Sequence, residues 1–141
     1  MTDKVYEFLA APRETTEELR RKRQKRTQIW STLSGGAIRY DLPRVQTSPH
    51  DRMADVMAEI DELDQEISRL RSLRRKQRQD IIDATEILTV ELSGRCLVLH
   101  YVDGLKWSDV ARAVHRSEST VFRYHRQAVE ELDQYVDNMF T

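Results

Sequence analysis

An all-α fold is predicted, a long helical hairpin or coiled-coil arm followed by a C-terminal tri-helical unit, and three observations predict it. Charged residues make up 33% of the 141 residues against 7% aromatics, with four glycines and three prolines, a composition that favours helices over strands joined by turns. Between Met53 and Leu70 the apolar residues recur at spacings of three and four. From Leu88 onward the pattern changes to three short amphipathic segments separated by tight connections. A chain this long forms about one ordinary domain, or one small domain with an extended arm. Its lone cysteine, Cys96, makes no internal disulfide, and no apolar run is long enough for a bilayer span or a secretory signal. A cytoplasmic protein without a membrane partner is expected.

Residues 1–13, "MTDKVYEFLAAPR", read as a flexible N-terminal segment, a loose end or a docking piece with an apolar patch at Val5, Tyr6, Phe8 and Leu9. Pro12 is expected to interrupt any helix running through it. Residues 14–90 read as the arm. Its first helix, 14–33, has Thr15 or Thr16 as N-cap, Glu17 and Glu18 in the first turn, and a sparse apolar face of Leu19, Ile29, Trp30 and Leu33. Gly35 and Gly36, then Pro43, break it into a loop over 34–48. Ser48-Pro49-His50-Asp51 then starts a second helix, 49–88, since Ser caps, Pro fits the first helical position and Asp suits the positive end.

This second helix carries the clearest heptad stripe: Met53, Val56, Ile60, Leu63, Ile67 and Leu70. Arg74 and Gln77 interrupt the seam before Ile81, Ala84 and Leu88 restore it, so a fray, bend or register-setting site is expected there. The stripe needs cover, from the 14–33 helix as an antiparallel hairpin or from a second copy in a homodimer, and both remain open. Charge is uneven along the chain. Residues 1–50 hold 10 Lys/Arg against 6 Asp/Glu, residues 51–90 hold 7 against 10, and residues 91–141 hold 6 against 8. The run "RRKRQKR", 20–26, suits either a phosphate backbone or a solvated face opposite Asp55, Glu59, Asp61, Glu62 and Glu66, pairs of small individual worth.

The third region, 91–141, reads as "VELSGRCLVLHYV", "WSDVARAV" and "SESTVFRYHRQAVEEL", joined by "DGLK" and "HR". Leu92, Cys96, Leu97, Leu99 and Tyr101 are expected to face Val110, Ala111 and Val114, with Val121, His125, Ala128 and Leu132 on one face of the last helix. The opposite face projects Ser119, Arg123 and Arg126, flanked by Glu118, Thr120, Phe122 and Gln127, while Glu130, Glu131, Asp133 and Asp137 follow in the helix's second half. Arginines make bidentate bonds to guanine edges or clamp phosphate, and only the first turns of such a helix enter a groove. Bases segregated ahead of acids suit end-on insertion into double-stranded DNA.

Residues 94–132, "GRCLVLHYVDGLKWSDVARAVHRSESTVFRYHRQAVEEL", resemble the region 4 helix-turn-helix of bacterial sigma factors, and more closely the small phage late-transcription regulators of the ArpU and RinA kind. The likeness lies in the apolar first helix, the Gly-Leu turn, the Trp-containing second helix, and Ser-x-x-Thr-Val opening a basic third helix. "STLSGGAIRYDLP" and "DRMADVMAEIDELDQEI" resemble the loop and long helix that precede the reader in such proteins. The resemblance implies sequence-specific DNA binding and control of phage or prophage transcription. Carried onto this chain, it implies DNA contacts at Ser117, Glu118, Ser119, Thr120, Phe122, Arg123, Arg126 and Gln127, and phosphate contacts from Lys106, Arg112 and Arg116. By the same resemblance, RNA polymerase is an expected partner of the loop or the arm's surface. This chain departs from the pattern at Lys106, where a Ser or Thr N-cap is common, and at His115, where Gly is common in the turn.

Two functions of other classes use the same features: a small terminase-like DNA-packaging subunit, which combines this motif with a helical ring, and an adaptor that binds polymerase without DNA affinity. Cys96, His100, His115 and His125 are too loosely spaced for a metal site, and core packing is expected of Cys96 and His125. No phosphate loop, nucleophile elbow or set carboxylate pair occurs, so neither an enzyme nor a cofactor is expected.

Overall fold

The computed structural model describes residues 2–34 and 49–139, and among them every regular element is helical. α1 spans Thr2–Ser34, α2 Pro49–Thr85, α3 Glu91–Leu97, a π-helical turn Val98–Val102, α4 Trp107–Val114 and α5 Glu118–Met139. The expected loop over 34–48 lies, apart from helical Ser34, outside the described residues. The chain divides into two compact units, one of Met1–Thr16 with Leu73–Thr141 and one of Glu17–Ser72. This division differs from the expected boundaries after residues 13 and 90.

The Glu17–Ser72 unit is a helical hairpin closed within one chain. Leu19, Ile60 and Leu63 are its buried apolar side chains. Lys22 Nζ meets Glu66 Oε2 at 2.9 Å and Arg26 Nε meets Asp64 Oδ1 at 2.6 Å, so partner numbers fall as residue numbers rise, and the helices run antiparallel. These pairs raise the Lys22 and Arg26 pKa values and lower that of Glu66, chiefly through the hydrogen bonds themselves. The heptad stripe thus finds its cover in the basic helix, whose charge opposes its own. Within the stripe Met53 is exposed.

The larger unit overturns the reading of residues 1–13 as a flexible segment. α1 begins at Thr2 and passes through Pro12, while Val5 and Leu9 are fully buried. They share one core with Ile81 and Ala84 of α2, Leu88 of the turn that follows it, Leu97 of α3, and Ala128, Val129, Leu132 and Val136 of α5. A mid-helix proline costs about 3 kcal/mol through its missing N–H and its ring. Burying two aliphatic side chains at roughly 1.5–3 kcal/mol each offsets that. The local signal lost to tertiary packing.

The polar break in the α2 seam proves to be a specific contact. Thr15, itself buried, donates its hydroxyl to Gln77 Oε1 at 2.7 Å, and Arg74 Nη1 donates to Thr16 Oγ1 at 3.3 Å. Buried hydroxyls and amides must be paired or they cost free energy, so this layer fixes which residues of α1 and α2 oppose each other. The expected register-setting site is therefore present. α2 ends at Thr85, three residues short of the expected 88, where Ile87 N–H bonds Ala84 O and Leu88 N–H bonds Thr85 O in a turn. Gly94 allows α3 to approach this turn, since a Cβ there would lie 3.1 Å from Thr85 Cβ.

Past α3 the backbone widens into the π-helical turn and closes at Gly104, whose φ of +77° suits only a residue lacking Cβ. α4 starts at Lys106 without a side-chain cap, and ends at His115 with φ 58° in the left-handed region. Arg116 N–H bonds Ala111 O at 3.0 Å and His115 N–H bonds Arg112 O at 3.3 Å, the pair of a Schellman closure. His115→Gly is expected to stabilise the protein by up to about 1 kcal/mol, because the left-handed strain of roughly 1–2 kcal/mol outweighs glycine's entropic cost. Urea denaturation of both proteins measures it; a destabilised variant would mean that the His115 side chain has a compensating contact.

Candidate nucleic-acid interface

The helix-turn-helix has its own small core. Cys96 of α3, Val110, Ala111 and Val114 of α4 and Val121 of α5 are buried together, with Leu92, Leu99, Leu105, Trp107 and Tyr124 packed around them. Burial raises the Cys96 thiol pKa, in keeping with a packing role. Val121 lies on the inner side of α5, so the helix turns a different face to solvent. Glu118, Ser119, Phe122, Arg123 and Arg126 are exposed on it, and Thr120 and Gln127 are half-buried. The exposed cations Lys106, Arg112 and Arg116 stand before α4, in its last turn and in the turn that follows.

The start of α5 is built by hydroxyls. Ser117 Oγ accepts the Thr120 N–H at 3.3 Å, which caps the helix, and lies 2.9 Å from Thr120 Oγ1 and 3.2 Å from Ser119 Oγ. Ser117 and Thr120 are thus occupied with ordering the first turn, while Ser119 and the two arginines face outward. Arg112 Nη1 lies 3.8 Å from Asp109, and Arg116 Nη1 donates to His115 O at 3.1 Å. Both contacts are exposed and weak, so they leave these guanidiniums available to phosphate.

Two acids of the second half of α5 contact other elements. Glu131 accepts both the N–H and the hydroxyl of Thr89, fixing the turn between α2 and α3 onto α5, and Asp137 pairs with Lys4 of α1 at 3.6 Å. Charge segregation along α5 therefore has a structural cause besides any ligand. The arginines of its first half face outward; in the acidic half Glu131 binds the Thr89 turn and Asp137 pairs with Lys4 at the surface.

Between the π-helical turn, α4 and α5 lies an aromatic layer. His100 stacks on Trp107 with centroids 3.8 Å apart, and its Nδ1 lies 2.7 Å from Leu105 O. A carbonyl only accepts, so Nδ1 carries the proton. Tyr101 Oη lies 2.8 Å from His125 Nε2, and Trp107 meets His125 edge-on at 4.8 Å. His125 thus packs as expected, with a hydroxyl partner added. Burial pushes the Tyr101 pKa up to about 12. Burial, and secondarily Arg13, lowers the His100 pKa, while burial and His100 lower that of His125.

A histidine whose folded pKa is depressed contributes stability that is present above the unfolded value and lost as pH falls through the folded one. Melting temperature is therefore expected to fall as pH drops below the unfolded histidine value of about 6.5. The part due to His125 should shrink in His125→Gln, measured by thermal unfolding above and below that pH. An unchanged pH dependence in that variant would assign the loss elsewhere.

Among the described residues no group of three or more His, Cys, Asp or Glu gathers to hold a metal, and no helix is long and apolar enough to cross a membrane. Comparisons with protein-family models, with curated proteins and with solved structures gave no match to this chain.

Proposed function

We propose that the chain is a sequence-specific DNA-binding regulator of phage or prophage transcription, which reads double-stranded DNA with the first turns of α5. The observation that carries this reading is the division of α5. Val121 anchors the helix in the core while Ser119, Arg123 and Arg126 stand exposed on its N-terminal half. A helix held in this way can lie in a major groove, where arginine pairs bidentately with guanine O6 and N7. Lys106, Arg112 and Arg116 then serve the phosphates on either side. The regulator acts by occupancy, without a chemical step or a cofactor. Contact with RNA polymerase and pairing of two readers through the arm belong to the same reading, with the exposed Met53 and Met57 available to a second copy.

Base readers and phosphate clamps respond differently to truncation. Lys106→Ala and Arg116→Ala should weaken binding by similar factors on a selected site and on random duplex, each lowering the salt slope by about 1. Arg123→Ala should weaken the selected site alone. Equal losses on both duplexes for all three variants would reduce the reading to nonspecific electrostatic binding.

A further inference from the structure

We infer that Phe122 reads thymine, by packing its ring against the C5-methyl group of a thymine in the major groove. The inference rests on the proposed DNA-reading role of α5. Phe122 is 44% exposed although it is one of the few large apolar side chains at the surface. It sits on the outward-facing side of α5 among the exposed Glu118, Ser119, Arg123 and Arg126. Its position is held from below. Trp107 meets it edge-on with centroids 5.7 Å apart, Trp107 is stacked on His100, and His100 is bonded to Leu105 O. A ring supported along one edge loses little further freedom on binding, so its free face suits a small apolar target.

In a major groove the only apolar group on a base edge is the thymine methyl, and phenylalanine is among the side chains that contact it. Cytosine offers an amino donor and the purines offer N7 acceptors, none of which a phenyl ring satisfies. The cations around Phe122 suit a polyanion that brings this methyl within reach.

The test uses the full chain and a binding site selected from a random duplex library. Each thymine of that site is replaced in turn by deoxyuridine, which removes the methyl and keeps the pairing, and affinity is read by fluorescence anisotropy. At one or two positions the substitution should weaken binding about fourfold, the worth of one buried methyl. Phe122→Ala should bind the thymine and deoxyuridine sites alike, while Phe122→Leu should keep part of the difference; circular dichroism of both variants checks that the fold is intact. A selected site that is indifferent to deoxyuridine everywhere, or a Phe122→Ala variant that still discriminates, would overturn the role of Phe122 and leave the DNA reading standing. Failure to select any site would remove both.

Discussion

Leu9→Ala is expected to destabilise the protein by about 2–5 kcal/mol and to loosen α5 with it. Leu9 is fully buried in the core that also holds Leu97, Ala128, Leu132 and Val136, so the cavity would open directly beneath α3 and α5. A domain of this size has only about 5–15 kcal/mol to lose. For the same reason residues 91–141 alone should not fold, because that fragment leaves the apolar side of α5 without Val5, Leu9, Ile81 and Ala84. Chemical denaturation of the variant, and circular dichroism of the fragment, check both. A Leu9→Ala loss below about 1 kcal/mol, with a folded fragment, would show that the helix-turn-helix stands without α1.

Arg123→Ala is expected to leave stability within about 0.5 kcal/mol of the parent, since the side chain is exposed and outside both cores. On its selected site the variant should lose about 1–3 kcal/mol of binding, roughly a 5- to 150-fold weaker Kd, with relaxed preference at one base pair. The two substitutions separate folding from the proposed reading: one removes the platform, the other the proposed contact to a base. Unchanged affinity in Arg123→Ala would withdraw that residue from the interface.

Much of this was legible in the sequence because it rests on local periodicity. The Met53–Leu70 stripe announces a covered helix face, and the spacing of Val110, Val114 and Val121 announces two helices crossing on a small core. The Arg74–Gln77 break was visible as a polar interruption, although its partners Thr15 and Thr16 were not. The misread parts rest on distant contacts. Pro12 gives a true local signal for a break, and nothing near it in sequence reveals that Val5 and Leu9 meet Leu132 and Val136. Glu131 looks like one acid among several until Thr89, 42 residues earlier, is seen to need its carboxylate. The resemblance implies a DNA contact at Ser117, and its helix-capping hydrogen bond to the Thr120 N–H emerges only in the structure.

The proposal that α5 reads duplex DNA is tested by titrating the full chain against duplex fragments tiled across the genome that encodes it. The titration is run at about 50 mM and about 200 mM salt. One or a few discrete fragments are expected to bind above the rest, with affinity that falls steeply between the two salt concentrations. Uniformly weak binding to every fragment at both concentrations would contradict it.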